Sequence, residues 1–328
     1  MNPTVADSHV NTALTAISVA YVQDQTRFVA DRVFPIVPVP KQSDRYFIYD
    51  RGDFNRDEME LRAPGTESAG AGYRLDNTPT YYCNKYSLHR DVPDDLIANS
   101  DAVLNPLRDA TVFLTQKGLL RREKNFAANY MAANWTSNFS GVANGNSWAG
   151  TTILQWNDAN STPVEDIRKA GTTILERTGF APNVLVIGKP VYDALADHPD
   201  IVDRIKYGQT PGSPASVTLK ALASLFDVER VEVMSAIENT ANENLAASHS
   251  FIGGKKALLV YAAPNPGIMT PSAGYTFLWS NLMGGAMGQR IRSFRMEHLE
   301  ATRVEIDTCF DQKLIAADLG FYIATAVA

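Results

Sequence analysis

At 328 residues, 45% apolar and 20% charged, the chain is long enough for one large or two moderate globular domains and ordinary in its apolar content. A formal net charge of −6, with acids and bases mixed and no basic block, argues against the tight phosphate-backbone binding of nucleic-acid readers. Two cysteines, Cys83 and Cys309, far apart and without a CxxC, exclude a disulfide framework, and no run approaches the ~20 apolar residues of a membrane helix. The first residues lack the basic and continuous apolar parts of a signal peptide, so a soluble protein made in a cytoplasm is expected.

In chain order, the first forty or so residues read as an arm. Val33-Phe34-Pro35-Ile36-Val37-Pro38-Val39-Pro40 is forced into an extended path, because each proline fixes its own φ and biases the residue before it. The run is apolar without the pattern of a helix or a central strand, so it needs a surface to lie on. Residues 45–90 follow as a two-stranded excursion. One arm is Tyr46-Phe47-Ile48-Tyr49, the return arm is Tyr81 to Leu88, and the tip between them is polar. An isolated ribbon is marginal in water and its edges invite another chain. The expected support is a second copy of the protein.

Asn105 and Pro106 open a long helix, as cap and first-turn proline, that runs to about Ala132. It would be roughly 40 Å long at about 1.5 Å per residue, a spine crossing the molecule. Heptad lines Val112/Leu119/Phe126 and Phe113/Leu120/Ala127 predict a narrow buried stripe with Gln116 and Glu123 between them. Arg121, Arg122, Glu123 and Lys124 are expected on the outer face. Residues 134–162 read as a long loop or irregular hairpin. From Pro163 the pattern predicts a helix to Thr178, a buried strand over 183–188, short helices over 191–196 and 201–206, and a loop at 208–216. A helix over 219–226 and strands over 230–233 and 256–261 complete a compact α/β or α+β unit. Beyond Ala273, strands over 275–279, 289–297, 302–310 and 317–326 suit an antiparallel sheet with one wet face.

No segment carries a convincing active site. Gly145-Asn146-Ser147-Trp148-Ala149 lacks the last glycine and the strand-to-helix setting of a nucleophile elbow. Gly253-Gly254-Lys255 lacks the earlier glycine and the following Ser or Thr of a phosphate loop, and Gly284 to Gly288 lacks dinucleotide-loop spacing. The five histidines are scattered, and His89 beside Asp91, Asp94 and Asp95 has no metal-ligand spacing. Cys83 and Cys309 read as small buried hydrophobes. No catalytic, cofactor or metal residue is assigned, and an enzyme is not expected.

A proline-pinned arm, an extended ribbon, a spine helix, an α/β block and a β-rich return resemble the tailed-bacteriophage major capsid protein family. This is the Hong Kong 97 fold, shared with encapsulins. Local echoes are Val33 to Val39 before Tyr46 to Tyr49, and the closing Leu314 to Tyr322. The resemblance implies an α+β capsid fold with an N-terminal arm (1–43) and an extended loop (44–90). It also implies a peripheral domain (91–162 and 266–328, with the spine helix at about 106–132) and an axial domain (163–265). It implies hexamers and pentamers closing into an icosahedral shell around double-stranded DNA, assembled in the host bacterial cytoplasm and residing in the virion. The partner is then the protein itself, with room for scaffolding, portal and decoration proteins, packaged DNA held only non-specifically, no membrane and no cofactor. Arg51, Asp53, Arg56, Asp57, Glu58, Glu60 and Arg62 are the candidate inter-subunit contacts. Residues 44–84 contain no lysine, so the Lys–Asn crosslink of some family members is not expected from this loop. The alternatives are an encapsulin-type nanocompartment and a soluble α/β enzyme with a β-ribbon dimerisation arm.

Overall fold

The computed structural model describes residues 22–100, 104–207, 217–267, 269–283 and 289–328. The expected arm before Val22, the loop at 208–216 and the glycine run at 284–288 lie outside these. The chain enters through a one-turn helix α1 (Ala30–Val33) and strand β1 (Ile36–Val39). The excursion carries β2 (Ser43–Arg45), β3 (Ile48–Tyr49), α2 (Arg51–Phe54), β4 (Leu75–Asp76) and β5 (Thr80–Tyr82), and returns along β6 (Asn84–Pro93). Helix α3 (Asp94–Ala98) leads to the spine α4 (Pro106–Asn129), followed by β7 (Ser137–Val142) and β8 (Thr152–Leu154). Next come α5 (Pro163–Thr178), β9 (Val184–Gly188), α6 (Lys189–Ala196), α7 (Pro199–Tyr207) and α8 (Leu219–Leu225). After these run β10 (Arg230–Met234), the hairpin β11 (Ile237–Asn239) and β12 (His249–Phe251), and β13 (Ala257–Val260). The chain closes with β14 (Gly274–Trp279), α9 (Ser280–Met283), β15 (Gln289–Met296), β16 (Ala301–Leu314) and β17 (Gly320–Ala324).

Two sheets organise these elements. In the first, β16 is the central strand. It pairs antiparallel with β6 along one side and with β15 and then β14 along the other, and β1 adds parallel to β14. The second runs β10-β9-β13-β17-β7-β8 and is mixed parallel and antiparallel. Its inner strands are buried on both faces, so their residues read as continuous apolar runs rather than alternating ones. Leu185, Ile187, Leu259 and Phe321 point into a cluster with Ile167 and Ile174 of α5. Val184, Val186, Leu258 and Tyr322 point the other way, onto Phe126, Tyr130 and Trp135 at the end of the spine.

The extended proline-rich run expected to lie on a surface does so as an edge strand over Ile36–Val39, which tolerates Pro38 because among the described residues β1 pairs with β14 alone. Several expectations are corrected. The arm from Phe28 to Phe34 is core, not covering, with the Phe34 ring 4.6 Å from that of Tyr130. Most of the return arm does not pair with the outgoing arm. Asn84 to Pro93 is zipped against Phe310 to Ala301, and only residues 43–82 project as a ribbon, held by two short ladders. Residues 137–154 supply strands β7 and β8 rather than a loop, and Gly320–Ala324 joins that same sheet rather than an antiparallel tail. The six-stranded sheet therefore unites segments expected in separate domains. Ile291 and Phe294 lie on exposed parts of β15, whereas Val304 and Ile306 are buried.

The spine shows the largest difference. Its buried positions are Ala110, Leu114, Gly118, Leu119, Arg122, Glu123 and Phe126, while Val112 and Phe113 are exposed. A heptad line drifts about 20° per repeat around a straight α-helix, so Leu119 and Phe126 face in but Val112 has rotated out. Gly118 permits close approach to the sheet, since a Cβ there would sit 3.3 Å from Cδ1 of Ile306. Arg122 and Glu123 are inside because the arm supplies their partners.

Candidate inter-subunit surface

The projecting loop is organised locally by short-range capping and ion pairs. Asp50 caps α2 by accepting from the Gly52 amide at 2.7 Å. Asp53 receives the Arg74 guanidinium in a two-pronged bond (3.0 and 3.1 Å) together with the Arg74 amide at 3.0 Å. Those bonds from Arg74 hold the Asp53 carboxyl below the usual carboxylate range. Tyr49, Phe54 and Tyr73 form a small aromatic cluster with centroids 5.7 to 6.0 Å apart. A bidentate pair and an aromatic trio give a loop without a core a defined shape.

Most of the seven candidate contact residues are engaged within the subunit. Arg51 reaches Asp318 at 3.0 Å and so ties the loop to the body. Arg56 sits 3.8 Å from Asp53 and 3.3 Å from Glu58. Asp57 accepts from the Met59 amide at 3.2 Å, and Arg62 Nε donates to the Thr66 carbonyl at 2.5 Å. Among the described residues, Glu60 has no hydrogen bond or ion pair. Sequence reading missed the apolar part of the tip: Met59 and Leu61 are 94% and 104% exposed, among the most exposed large apolar side chains described. Their signal was available, since Met59 and Leu61 alternate with Glu58, Glu60 and Arg62. Such groups gain free energy when another surface covers them.

Sites that could suggest chemistry are structural instead. His198 Nδ1 accepts from the Asp200 amide at 3.2 Å, which leaves the proton on Nε2. Nε2 faces the Ser161 hydroxyl at 3.0 Å and the Asp158 carbonyl at 3.1 Å, so it donates and cannot take the serine proton. Ser147 Oγ accepts from the Leu154 amide. Asp166, its carboxyl pushed up by burial, gathers the indoles of Trp148 and Trp156 at 2.9 and 3.2 Å. Asp91 and Asp94 are taken by Arg303 and Arg295. No group of three or more metal-binding side chains occurs among the described residues. Cys83 and Cys309 are buried and free, and burial pushes the Cys83 thiol up to about 12, an unreactive state.

Comparison with known proteins matches these features to a protein family. Residues 143–274 match the family model described as phage major capsid protein E. The chain is 28% identical over 321 residues to the major capsid protein of Pseudomonas phage JBD67, covering 97% of each. It is 26% identical over 328 residues to that of Burkholderia phage BcepMu, covering 96% of each. The chain is similar to phage major capsid proteins over nearly its whole length. Its α+β architecture is the Hong Kong 97-like capsid fold. The capsid structure of Cyanophage P-SCSP1u aligns with a TM-score of 0.63 at 11% identity over 99% of this chain and 95% of that one. The holo-SrpI encapsulin of Synechococcus elongatus PCC 7942 aligns at 0.54, with 13% identity over 99% and 96%. As a phage major capsid protein, the chain is a structural component of the virion.

Proposed function

We propose that this phage major capsid protein closes through hexamers and pentamers into an icosahedral shell around double-stranded DNA. In this reading residues 44–90 reach over an adjacent subunit. Residues 163–265 gather at capsomer axes, and residues 91–162 with 266–328 lie at the periphery, with the six-stranded sheet bridging the two regions. The observation that carries it is the loop tip, an ordered projection whose Met59 and Leu61 find no cover in their own subunit. Many weak contacts of this kind add across a closed assembly. The net charge of −6 lets DNA be held non-specifically rather than gripped. Portal, scaffolding and decoration proteins would complete the particle, and assembly would take place in the host bacterial cytoplasm.

Size-exclusion chromatography with negative-stain microscopy tests the proposal. Closed particles tens of nanometres across support it, and a stable dimer or tetramer would sink it. Charge reversal of Arg56 and Arg62 together is expected to lower the assembled fraction about tenfold, equivalent to ~1.4 kcal/mol per contact, with subunit melting unchanged. Intact assembly of that double variant would remove both residues from the interface.

The hold of this loop on its neighbour is noncovalent. Residues 44–84 offer only arginines as bases, and arginine stays protonated and does not act as an amine nucleophile. Mature particles boiled in denaturant under reducing conditions should run as a single subunit band. A ladder of multiples mapped to this loop would contradict that.

A further inference from the structure

Strand β15 is an open edge. Among the described residues it pairs with β16 alone, along all eight positions from Gln289↔Thr308 to Met296↔Ala301. Residues 291 to 295 are exposed throughout, and Ile291 and Phe294 keep 44% and 39% of their surface in solvent. An unpaired row of backbone donors and acceptors beside exposed apolar side chains is a template for another strand. The charged side chains of Gln289–Met296 are Arg290, Arg292 and Arg295; each is ion-paired within the subunit, Arg290 and Arg292 with Asp307 and Arg295 with Asp94, yet Arg290 and Arg292 keep 32% and 43% of their side chains in solvent, open to a further carboxylate.

The loop tip supplies a complementary segment. Residues 56–62 have no regular structure, so their backbone is not committed to a ladder. Within residues 58–61 the charged groups are Glu58 and Glu60, opposite in sign to the β15 arginines, and Met59 and Leu61 alternate with them at the period of a strand. We infer that residues 58–61 of one copy add as a strand to the open edge of β15 in a second copy, with the acids on the arginine face and the apolar pair beside Ile291. This rests on the reading that copies assemble into a shell, and it deepens that reading by naming the contact.

Parity fixes the register. On β15, Arg290 and Arg292 share one face, and Ile291 and Ser293 the other. Placing Glu60 opposite Arg292 puts Met59 opposite Ile291 if the strands run parallel, and Leu61 opposite Ile291 if antiparallel. In the parallel direction Glu58 also falls opposite Arg290, whereas in the antiparallel direction it falls opposite Phe294, so the charge pattern favours parallel addition. A slip of one residue would set Met59 or Leu61 among the guanidinium groups, so the pattern selects against it.

Cysteine crosslinking in assembled particles tests this. Directly opposed residues on paired strands have Cα atoms about 4.5–5.5 Å apart, within disulfide reach. Shells of Ile291→Cys combined with Met59→Cys or with Leu61→Cys, oxidised and run without reductant, should give a ladder of crosslinked subunits for one of the pairs. Ile291→Cys with Glu60→Cys, whose side chains would lie on opposite faces, should crosslink at least about tenfold less. Well-formed shells with no ladder in either pair would overturn the strand addition and leave the capsid reading intact. Failure of the unmodified protein to form shells would overturn the capsid reading itself. If the cysteine variants do not assemble, hydrogen exchange on the unmodified protein decides. Amides of 289–296 should be slowed in shells relative to free subunits, and unchanged exchange would refute the contact.

Discussion

Replacing Asp307 with alanine is expected to destabilise the free subunit by ~2–4 kcal/mol at neutral pH, from the physics of a buried carboxylate that cations converge on. Asp307 is fully buried in the middle of β16. It accepts from the Ser87 hydroxyl at 2.6 Å and faces Lys85 at 3.2 Å on β6, Arg290 at 2.9 Å and Arg292 at 3.2 Å on β15. One side chain thus ties both flanking strands to the central one. The three cations keep about a third or more of their side chains in water (38%, 32% and 43%), so they rehydrate when the carboxylate is lost. That places the cost below the ~5 kcal/mol extreme for a fully sealed pair.

The same site sets an acid limit. Burial pushes the Asp307 carboxyl up, but bonds from Ser87, Arg290 and Lys85 outweigh it and hold the group at about 2. A folded value below the unfolded one means a contribution fully present above about 3.8 and lost as pH falls towards about 2. Urea unfolding of Asp307→Ala should therefore differ most from the parent at pH 7 and converge with it near pH 2. A difference below ~1 kcal/mol at pH 7 would make Asp307 an ordinary surface pair. β15 is also the strand whose outer edge is inferred to receive a neighbour, so loss of Asp307 should weaken assembly beyond its effect on folding.

Local rules recovered the α/β block well. Pro163 opens α5 as its first-turn proline, Gly179 closes it with φ 78°, and the uninterrupted apolar run at 184–188 is a fully buried strand. Partner choice was not legible. Nothing in Asn84 to Pro93 says that it pairs with a strand more than two hundred residues later, and Asn/Ser/Gly-rich 137–142 becomes a strand only because β17 and β8 flank it. At the candidate surface the charges were readable and their local pairing was not, so Asp53 and Arg74 order the loop itself. The exposed Met59 and Leu61 were passed over because two apolar residues among acids make no core. Arg122 and Glu123 were misplaced for a related reason: polarity predicts exposure until a buried partner is supplied from a distant segment.

That partner makes Glu123→Ala the second large effect. Glu123 has no exposed surface, and its carboxylate accepts the Val29 amide (3.2 and 3.0 Å) and the Ala30 amide at 2.9 Å, clasping the start of α1 to the spine. Beside it, buried Arg122 donates to Asp31 at 3.0 Å. Alanine strands the two amides without an acceptor at roughly 1–3 kcal/mol each, so a loss of ~3 kcal/mol is expected. Fast hydrogen exchange over 28–34 should accompany it. Burial pushes the Glu123 carboxyl up to about 7, with the Val29 and Ala30 amides opposing the shift, Asp31 adding to it and Arg32 opposing it. A folded value above the unfolded one means the contribution of this group is fully present below about 4.5 and declines as pH rises through about 7. The arm should therefore be held more tightly at pH 5 than at pH 8. Glu123→Gln keeps one acceptor oxygen and cannot ionise, so it should hold the arm and flatten that dependence. An unchanged pH slope in the glutamine variant would assign the titration to another group. Persistent protection of 28–34 in the alanine variant would show that Phe34 and its aromatic neighbours hold the arm without the clasp.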